Sequence, residues 1–287
     1  MVDFHQVMIS NLMVSLGKYT NAELNVDLLR HMVLNTIRAN YKKFKSQFGE
    51  LIICSDGMGK IWRKNVYPYY KANRKRARDE SEIDWDLVYN AINTIRDEIK
   101  ENFSYRVLVN ENCEADDIIA TLCEHFGDDG FLTGSEPILI LSRDKDFIQL
   151  HKYPNVKQYS PIDKRFITHP KPTAFLKEQI IRGDEGDGVP NIKSPDDVFV
   201  TKSRQKQIFT KNIPNWIECD PKDFCDEKML RNYKRNEQLI DLSFVPDVYK
   251  KAIVDDFESQ ANKSRRVYNY FVEKRLRNLT ELVNDFI

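Results

Sequence analysis

No apolar run in this 287-residue sequence is long enough to cross a bilayer, and no signal-peptide pattern opens it. The chain therefore reads as soluble and cytoplasmic, with no membrane partner. Its five cysteines (Cys54, Cys113, Cys123, Cys219, Cys225) contain no CxxC pair, and its five histidines form no group at metal-ligand spacing. Free thiols in a reducing compartment follow from that pattern. Net charge is lacking too, because 44 Lys and Arg balance 44 Asp and Glu. Bulk electrostatics thus argues neither for nor against nucleic acid. Internal repeats and low-complexity linkers are absent, and this length fits one large domain or two small ones.

What the chain does have is charge in places. Between Lys60 and Arg78 stand eight Lys or Arg and no Asp or Glu, interleaved with Trp62, Tyr67, Tyr69 and Tyr70. The carboxylates gather elsewhere, at the ends of short apolar runs. Ile138–Leu141 reads as a strand buried on both faces, the habit of a parallel sheet. It breaks into Ser142-Arg143-Asp144-Lys145-Asp146 and resumes as an apolar, helical segment to Leu150. The strand at Leu51–Cys54 ends in Asp56, that at Tyr105–Val109 leads to Glu114, Asp116 and Asp117, and Met1-Val2-Asp3 resembles the tail of another. Only two residues precede Asp3, where strands usually run to about 5–6; a start further upstream is expected.

Helical spacing covers 26–48, closed by Gly49, then Asp84–Asn102 and Glu114–Phe126. A glycine-bearing loop is expected near Asp128–Gly134, and short strands at Val156–Tyr159 and Arg165–Thr168. Helices alternating with strands require crossovers, hence an α/β fold with a mostly parallel central sheet flanked by helices. Residues 1–170 form that core, and 171–287 read as a smaller, all-helical region with turns at Gly183–Pro190 and Lys193–Asp196. The terminal LTELVNDFI is amphipathic and reads as a helix closing the core, with partner docking as the other option.

Nine acids are candidates for one metal site: Asp3, Asp56, Glu114, Asp116, Asp117, Asp144, Asp146, Asp184 and Asp187. Hard divalent cations take oxygen ligands, and Mg²⁺ binds through a few carboxylates while keeping water. Without cations so many converging carboxylates would repel and raise one another's pKa. Two ions about 4 Å apart can instead clamp the attacking and leaving oxygens of a phosphoryl displacement. Glu114 and Asp117 are three apart and share a helix face; their place in a first helical turn also suits the helix dipole, which needs no metal.

The motifs E-A-D-D (114–117), S-R-D-K-D (142–146) and G-D-x-x-D (183–187), with Arg63 and Tyr70-Lys71-x-x-Arg74, resemble the 5′-nuclease (flap endonuclease) family in order and spacing. The run DKDFIQLHKYPNVKQ is most similar to that family's T-even phage ribonuclease H branch. The resemblance implies a PIN/5′-nuclease-like fold with a helical arch at about 58–82 and a helix–three-turn–helix segment at about 176–210. It implies a two-Mg²⁺ (or Mn²⁺) 5′→3′ exonuclease and flap endonuclease acting on DNA and RNA–DNA duplexes, removing RNA primers, as a monomer. Asp3, Asp56, Asp116 and Asp144 would surround one ion with Glu114 nearby; Asp146, Asp184 and Asp187 would hold the other, largely through water. Lys71 and Arg74 would join Asp116 and Asp144 in catalysis. Arg63, Tyr70, Lys71, Arg74, Lys193, Lys202, Arg204 and Lys206 would contact nucleic acid.

The sequence departs from that family where GVPNIKSPDDV follows Asp187, leaving K⁺ binding in the hairpin open. A replication clamp or single-strand-binding protein stays open as a partner. A haloacid-type phosphatase is disfavoured by His5 where a second Asp is needed, and a PIN-type ribonuclease is too small. The remaining alternative is a catalytically weak, structure-specific DNA-binding protein of the same fold.

Overall fold

The computed structural model describes residues 1–16, 24–127, 136–261 and 266–287; the glycine-bearing loop expected near Asp128–Gly134 lies outside them. In chain order the elements are β1 (Val2–Asp3), α1 (Phe4–Leu16), α2 (Val26–Phe48), β2 (Ile52–Ser55), α3 (Arg63–Val66), α4 (Ala72–Asp79) and α5 (Trp85–Asn102). Then come β3 (Arg106–Val109), α6 (Ala115–Phe126), β4 (Ile138–Leu141), a 3-10 helix (Lys145–Lys152), β5 (Val156–Ser160), β6 (Arg165–Ile167) and α7 (Pro172–Arg182). The last part holds α8 (Ile213–Glu218), α9 (Pro221–Phe224), α10 (Glu227–Ile240), α11 (Asp247–Ser259), α12 (Val267–Glu273), α13 (Arg277–Thr280) and a 3-10 turn, Val283–Phe286.

Local chemistry sets the helix starts. Asn25 accepts the Leu28 amide at α2, and Asp84 that of Leu87 at α5, supplying acceptors that an N-terminus lacks. Gly49 ends α2 at φ +67°, a conformation that favours glycine. Helix α1 carries no acid in its first turn and no base in its last. It starts straight out of β1, with the Asp3 carboxylate accepting the Gln6 amide at 3.1 Å, and the sequence offers no conventional boundary there. The segment expected to be helical to Leu150 is a 3-10 helix, capped by the Asp144 side chain on the Asp146 amide.

The sheet order is β3-β2-β1-β4-β5-β6, parallel throughout except that β6 runs antiparallel to β5. β1 is two residues long and central, with Val2 opposite both Ile53 and Leu141. Successive strands step outward from β1 to β3, then cross to the other side of β1. The carboxyl ends of β1 and β4 thus flank the switch point where open α/β sheets leave a crevice.

Both sheet faces are covered, as a parallel sheet requires. One core joins α1, α2, α5, α12 and α13 to the sheet; a second joins α6 and residues around α11. A third, away from the sheet, packs Tyr67 and Tyr70 against α7, α8 and α10. Packing therefore crosses the division expected at residue 170, because Tyr270, Phe271 and Leu279 return to the first core. The end of the chain does likewise, Phe286 being wholly buried beside Phe103 and Phe271. Phe286→Ala should cost about 3–5 kcal/mol of folding stability, read from urea unfolding, whereas a solvent-facing tail would lose under about 0.5.

Candidate metal centre and nucleic-acid face

The crevice gathers the acids from separate elements. Asp3 ends β1 and accepts Ser142 Oγ at 3.2 Å. Asp56 follows β2 and accepts the Ala115 amide at 2.8 Å, capping α6 from across the sheet. Glu114 and Asp116 open α6, Asp144 opens the 3-10 helix after β4, and Asp146 accepts Gln179 Nε2 of α7 at 2.6 Å. Asp184 and Asp187 sit in the turn after α7, closed by Asp184–Val189 backbone hydrogen bonds of 2.8 and 2.7 Å. Gly183 makes that turn possible, with φ +71° and the Val189 carbonyl 2.3 Å from where a Cβ would lie.

Crowding is visible in the electrostatics. Burial pushes Asp3 up to about 7, with Asp56 and Asp144 adding repulsion. Burial likewise drives Asp146 up to about 7, helped by Asp144 and Asp184, and lifts Asp116 well above the carboxylate range with Asp144 and Asp3. Burial and mutual repulsion both disfavour the charged form of these three acids, and a bound cation would offset both. Such an all-oxygen donor set fits a hard divalent cation.

Among the described residues no three His, Cys, Asp or Glu stand together as a preformed cage. The protein's own cations hold several acids instead. Lys71 Nζ pairs with Glu114 and lies 3.5 Å from Asp187, Arg74 pairs with Asp187, and Lys145 Nζ lies 2.8 Å from Asp184. Burial alone would raise Glu114, but Lys71 and Arg63 outweigh it and hold it at about 2. Asp184 is lowered in the same way, burial being outweighed by Lys145.

Three expected roles change on inspection. Asp117, grouped with the metal ligands by its spacing, is fully buried (0% exposed), and its carboxylate is engaged by the protein's own donors. Its Oδ2 takes Trp62 Nε1 at 3.1 Å, Arg63 Nη1 at 3.0 Å and the Glu114 amide at 2.9 Å. Its Oδ1 lies 2.7 Å from Arg63 Nη2 as an ion pair, off hydrogen-bond alignment. Arg63, expected on nucleic acid, is 2% exposed; it also donates to Glu114 at 3.1 Å and to the Leu239 carbonyl at 2.9 Å. Tyr70, 3% exposed, offers no stacking face, and its hydroxyl bridges Glu114 at 2.9 Å and Asp187 at 2.7 Å. Trp62, Arg63, Tyr67 and Tyr70 of the aromatic-basic segment thus serve to anchor it.

Lys71 and Arg74 do reach the crevice, though not as helix neighbours. α4 starts at Ala72, and Lys71 precedes it at φ +56° with its amide on the Asp187 carbonyl at 2.8 Å. Lys202, Arg204 and Lys206 are exposed in the 191–206 segment, and Lys193 lies over the Trp216 ring, 5.4 Å from its centre. In the expected helix–three-turn–helix segment, α7 is the first helix, but the second is reduced to turns over 195–202. Asn191 Oδ1 takes the Lys193 amide and Ser194 Oγ at 3.0 Å each, and Ser194 Oγ accepts the Lys206 amide at 2.9 Å. Such side-chain bonds compete with helical ones. Sequence reasoning missed Lys145, Gln179 and Ser142 as partners of the acids; only their place beside the acidic motifs hinted at it. The largely apolar cavity of about 360 Å³ between the end of α2 and the starts of β2 and β4 lies at the opposite end of the strands.

Two expectations can be checked directly. A carboxyl raised in the fold binds its proton more tightly there than in the unfolded chain, so its stabilisation is present below about pH 4 and is lost as pH rises to about 7. In chelator, melting temperature should therefore be higher at pH 5.5 than at pH 8, and added Mg²⁺ should raise it more at pH 8; Glu114 is ionised across this window and does not oppose the trend. A flat profile would count against the crowded-acid geometry. Separately, Asp117→Asn should lose about 3–5 kcal/mol in urea unfolding by stranding buried Arg63, while Asp144→Asn should lose none.

The comparisons agree with this geometry. The family of 5′-3′ exonuclease N-terminal resolvase-like domains matches residues 3–179, and the C-terminal family of T4 RNase H matches 173–286. Ribonuclease H of Enterobacteria phage T4 is 34% identical over an alignment spanning 100% of this chain and 95% of that protein. A 5′-3′ exonuclease of Buchnera aphidicola (Schizaphis graminum) is 28% identical over 71% of this chain and 69% of its own. The phage T5 flap endonuclease solved with DNA and metal ions shares the fold, with a TM-score of 0.62 at 16% identity over 91% of this chain and 98% of that one. With an α/β sheet carrying acids at its switch point and both family matches in tandem, the chain belongs to the 5′-3′ exonuclease and flap endonuclease family of nucleases, in the branch of phage T4 ribonuclease H.

Proposed function

We infer that this chain is a divalent-metal-dependent 5′→3′ exonuclease and flap endonuclease, hydrolysing phosphodiester bonds at the 5′ ends of DNA and RNA–DNA duplexes. Removal of RNA primers in replication is the role that suits this substrate class. The observation that carries the reading is the crowd of buried and half-buried acids gathered from separate elements at the β1–β4 crevice, three of them with raised pKa. Asp3, Asp56, Asp116 and Asp144, with Glu114 nearby, would hold one Mg²⁺; Asp146, Asp184 and Asp187 would hold a second, with Mn²⁺ able to replace both. Bound there, the ions would lower the pKa of water and stabilise charge on the phosphate. The phage T5 flap endonuclease, which shares the fold, was solved with DNA and metal ions, in keeping with a metal-dependent nuclease.

The chain's own residues do the rest. Lys71 and Arg74 now rest on Glu114 and Asp187; an entering phosphate would take them over, placing two cations on the oxygens where charge builds. Tyr70 keeps Glu114 and Asp187 in register. Lys202, Arg204 and Lys206 offer the duplex a sequence-independent phosphate grip, with Lys193 at its edge. Burial of Phe286 favours core closure over partner docking for the tail.

Cleavage of an end-labelled 5′-flap duplex, with Mg²⁺ and with chelator, tests the reading; matched blunt, nicked and RNA-primed duplexes fix the substrate class. Asp144→Asn and Asp116→Asn should bind DNA yet not cut, and near wild-type cutting by either would overturn the metal assignment. Lys71→Ala should slow single-turnover cleavage by about 10²-fold, the scale of one charge-stabilising donor, with little change in affinity. Lys202→Ala/Arg204→Ala should weaken binding, lower the salt slope by up to about 2, and cut normally at saturation.

A further inference from the structure

Between the Val66–Tyr69 stretch and α10 lies a groove of about 310 Å³ on the flank of the carboxylate crevice. None of the residues lining it belongs to the acid set. Its base is rigid: buried Arg235 pairs with Asp196, donates to the Pro190 carbonyl at 3.1 Å and lies 5.2 Å from the centre of the Tyr67 ring. Asp196 in turn holds Arg231 Nη1 at 3.0 Å. Arg231 and Lys234 are exposed and three apart on α10, so they face the same way. Three basic side chains therefore line the groove against one carboxylate, Asp196.

The opposite wall carries an aromatic ring. Tyr69 is 38% exposed, set edge to face against Tyr67 with ring centres 5.7 Å apart. The Tyr67 hydroxyl is anchored on the Gly188 carbonyl at 3.3 Å. The next residue, Tyr70, already touches Glu114 and Asp187. The groove thus opens one residue away from the proposed site of cleavage. Cations beside an exposed ring suit a phosphate and the π-face of a base, and a base offers that face only when unpaired. Sites for small ligands start at about 300 Å³, so the groove has room for about one nucleotide.

We propose that this groove binds an unpaired nucleotide of the substrate's single-stranded 5′ segment, its phosphate on Arg231 and Lys234 and its base against Tyr69. The assignment rests on the nuclease reading and adds a subsite to it. Binding is measured by fluorescence polarisation in chelator, using a duplex with a 5′ flap and the same duplex with a flush 5′ end. The Arg231→Gln/Lys234→Gln variant should bind the flapped duplex at least fivefold more weakly, with a salt slope lower by up to about 1.4 for two single-strand contacts, and the flush duplex unchanged. Tyr69→Leu should weaken flap binding at least fivefold, the low end of one base stack, without altering the salt slope. Equal losses on both duplexes, or none on either, would overturn the proposal. Wild-type protein that neither binds nor cuts any of these substrates would instead defeat the nuclease reading on which it rests.

Discussion

One buried guanidinium ties the basic side of this molecule to its acidic side. Arg63 contacts Glu114 and Asp117 at the start of α6, and its Nε reaches the Leu239 carbonyl at the end of α10. A lone arginine in that position would carry a large desolvation cost, and two carboxylates without it would repel. Each therefore exists because the other does. Everything attached to Arg63, from Trp62 through the tyrosines to Lys71, is thereby held beside the strand ends. The third core, built on Tyr67, Tyr70 and α10, hangs from the same point.

The crevice is an electrostatic compromise of another kind. The sheet brings Asp3 and Asp144 together because β1 and β4 are neighbours, and no local interaction could have done so. Lys71, Arg74 and Lys145 relieve part of the repulsion. These are the groups best placed to give way when phosphate and metal arrive. Stability and readiness for ligand are thus set by the same few side chains, in opposite directions.

How much of this was legible in the sequence follows from physical range. The parallel sheet, the helices at 26–48 and 85–102, and eight of the nine acids in or beside the crevice could be read from apolar runs, caps and motif spacing. Helix α1 could not, because it begins without a loop and takes its cap from a residue that also serves the crevice. Asp117 was misplaced because sharing a face with Glu114 says nothing of what stands opposite; Arg63, 54 residues away in sequence, decides that. Tyr70 and Arg63 looked like ligand contacts because spacing cannot distinguish a side chain facing inward from one facing outward. The missing second helix after α7 depends on Asn191 and Ser194, whose side-chain bonds to Lys206 span the loop and carry no periodic signal.

The central place of β1 has a consequence for how the molecule comes into being. One of its strand partners, Leu141, lies about 140 positions further along the chain. The core beside β1 also takes in Tyr270, Phe271 and Phe286, more than 260 positions away. Contacts so distant in sequence make folding slow. The acids of the crevice therefore come together only once β4 has returned to β1, and a fragment that stops short of β4 does not carry the cluster.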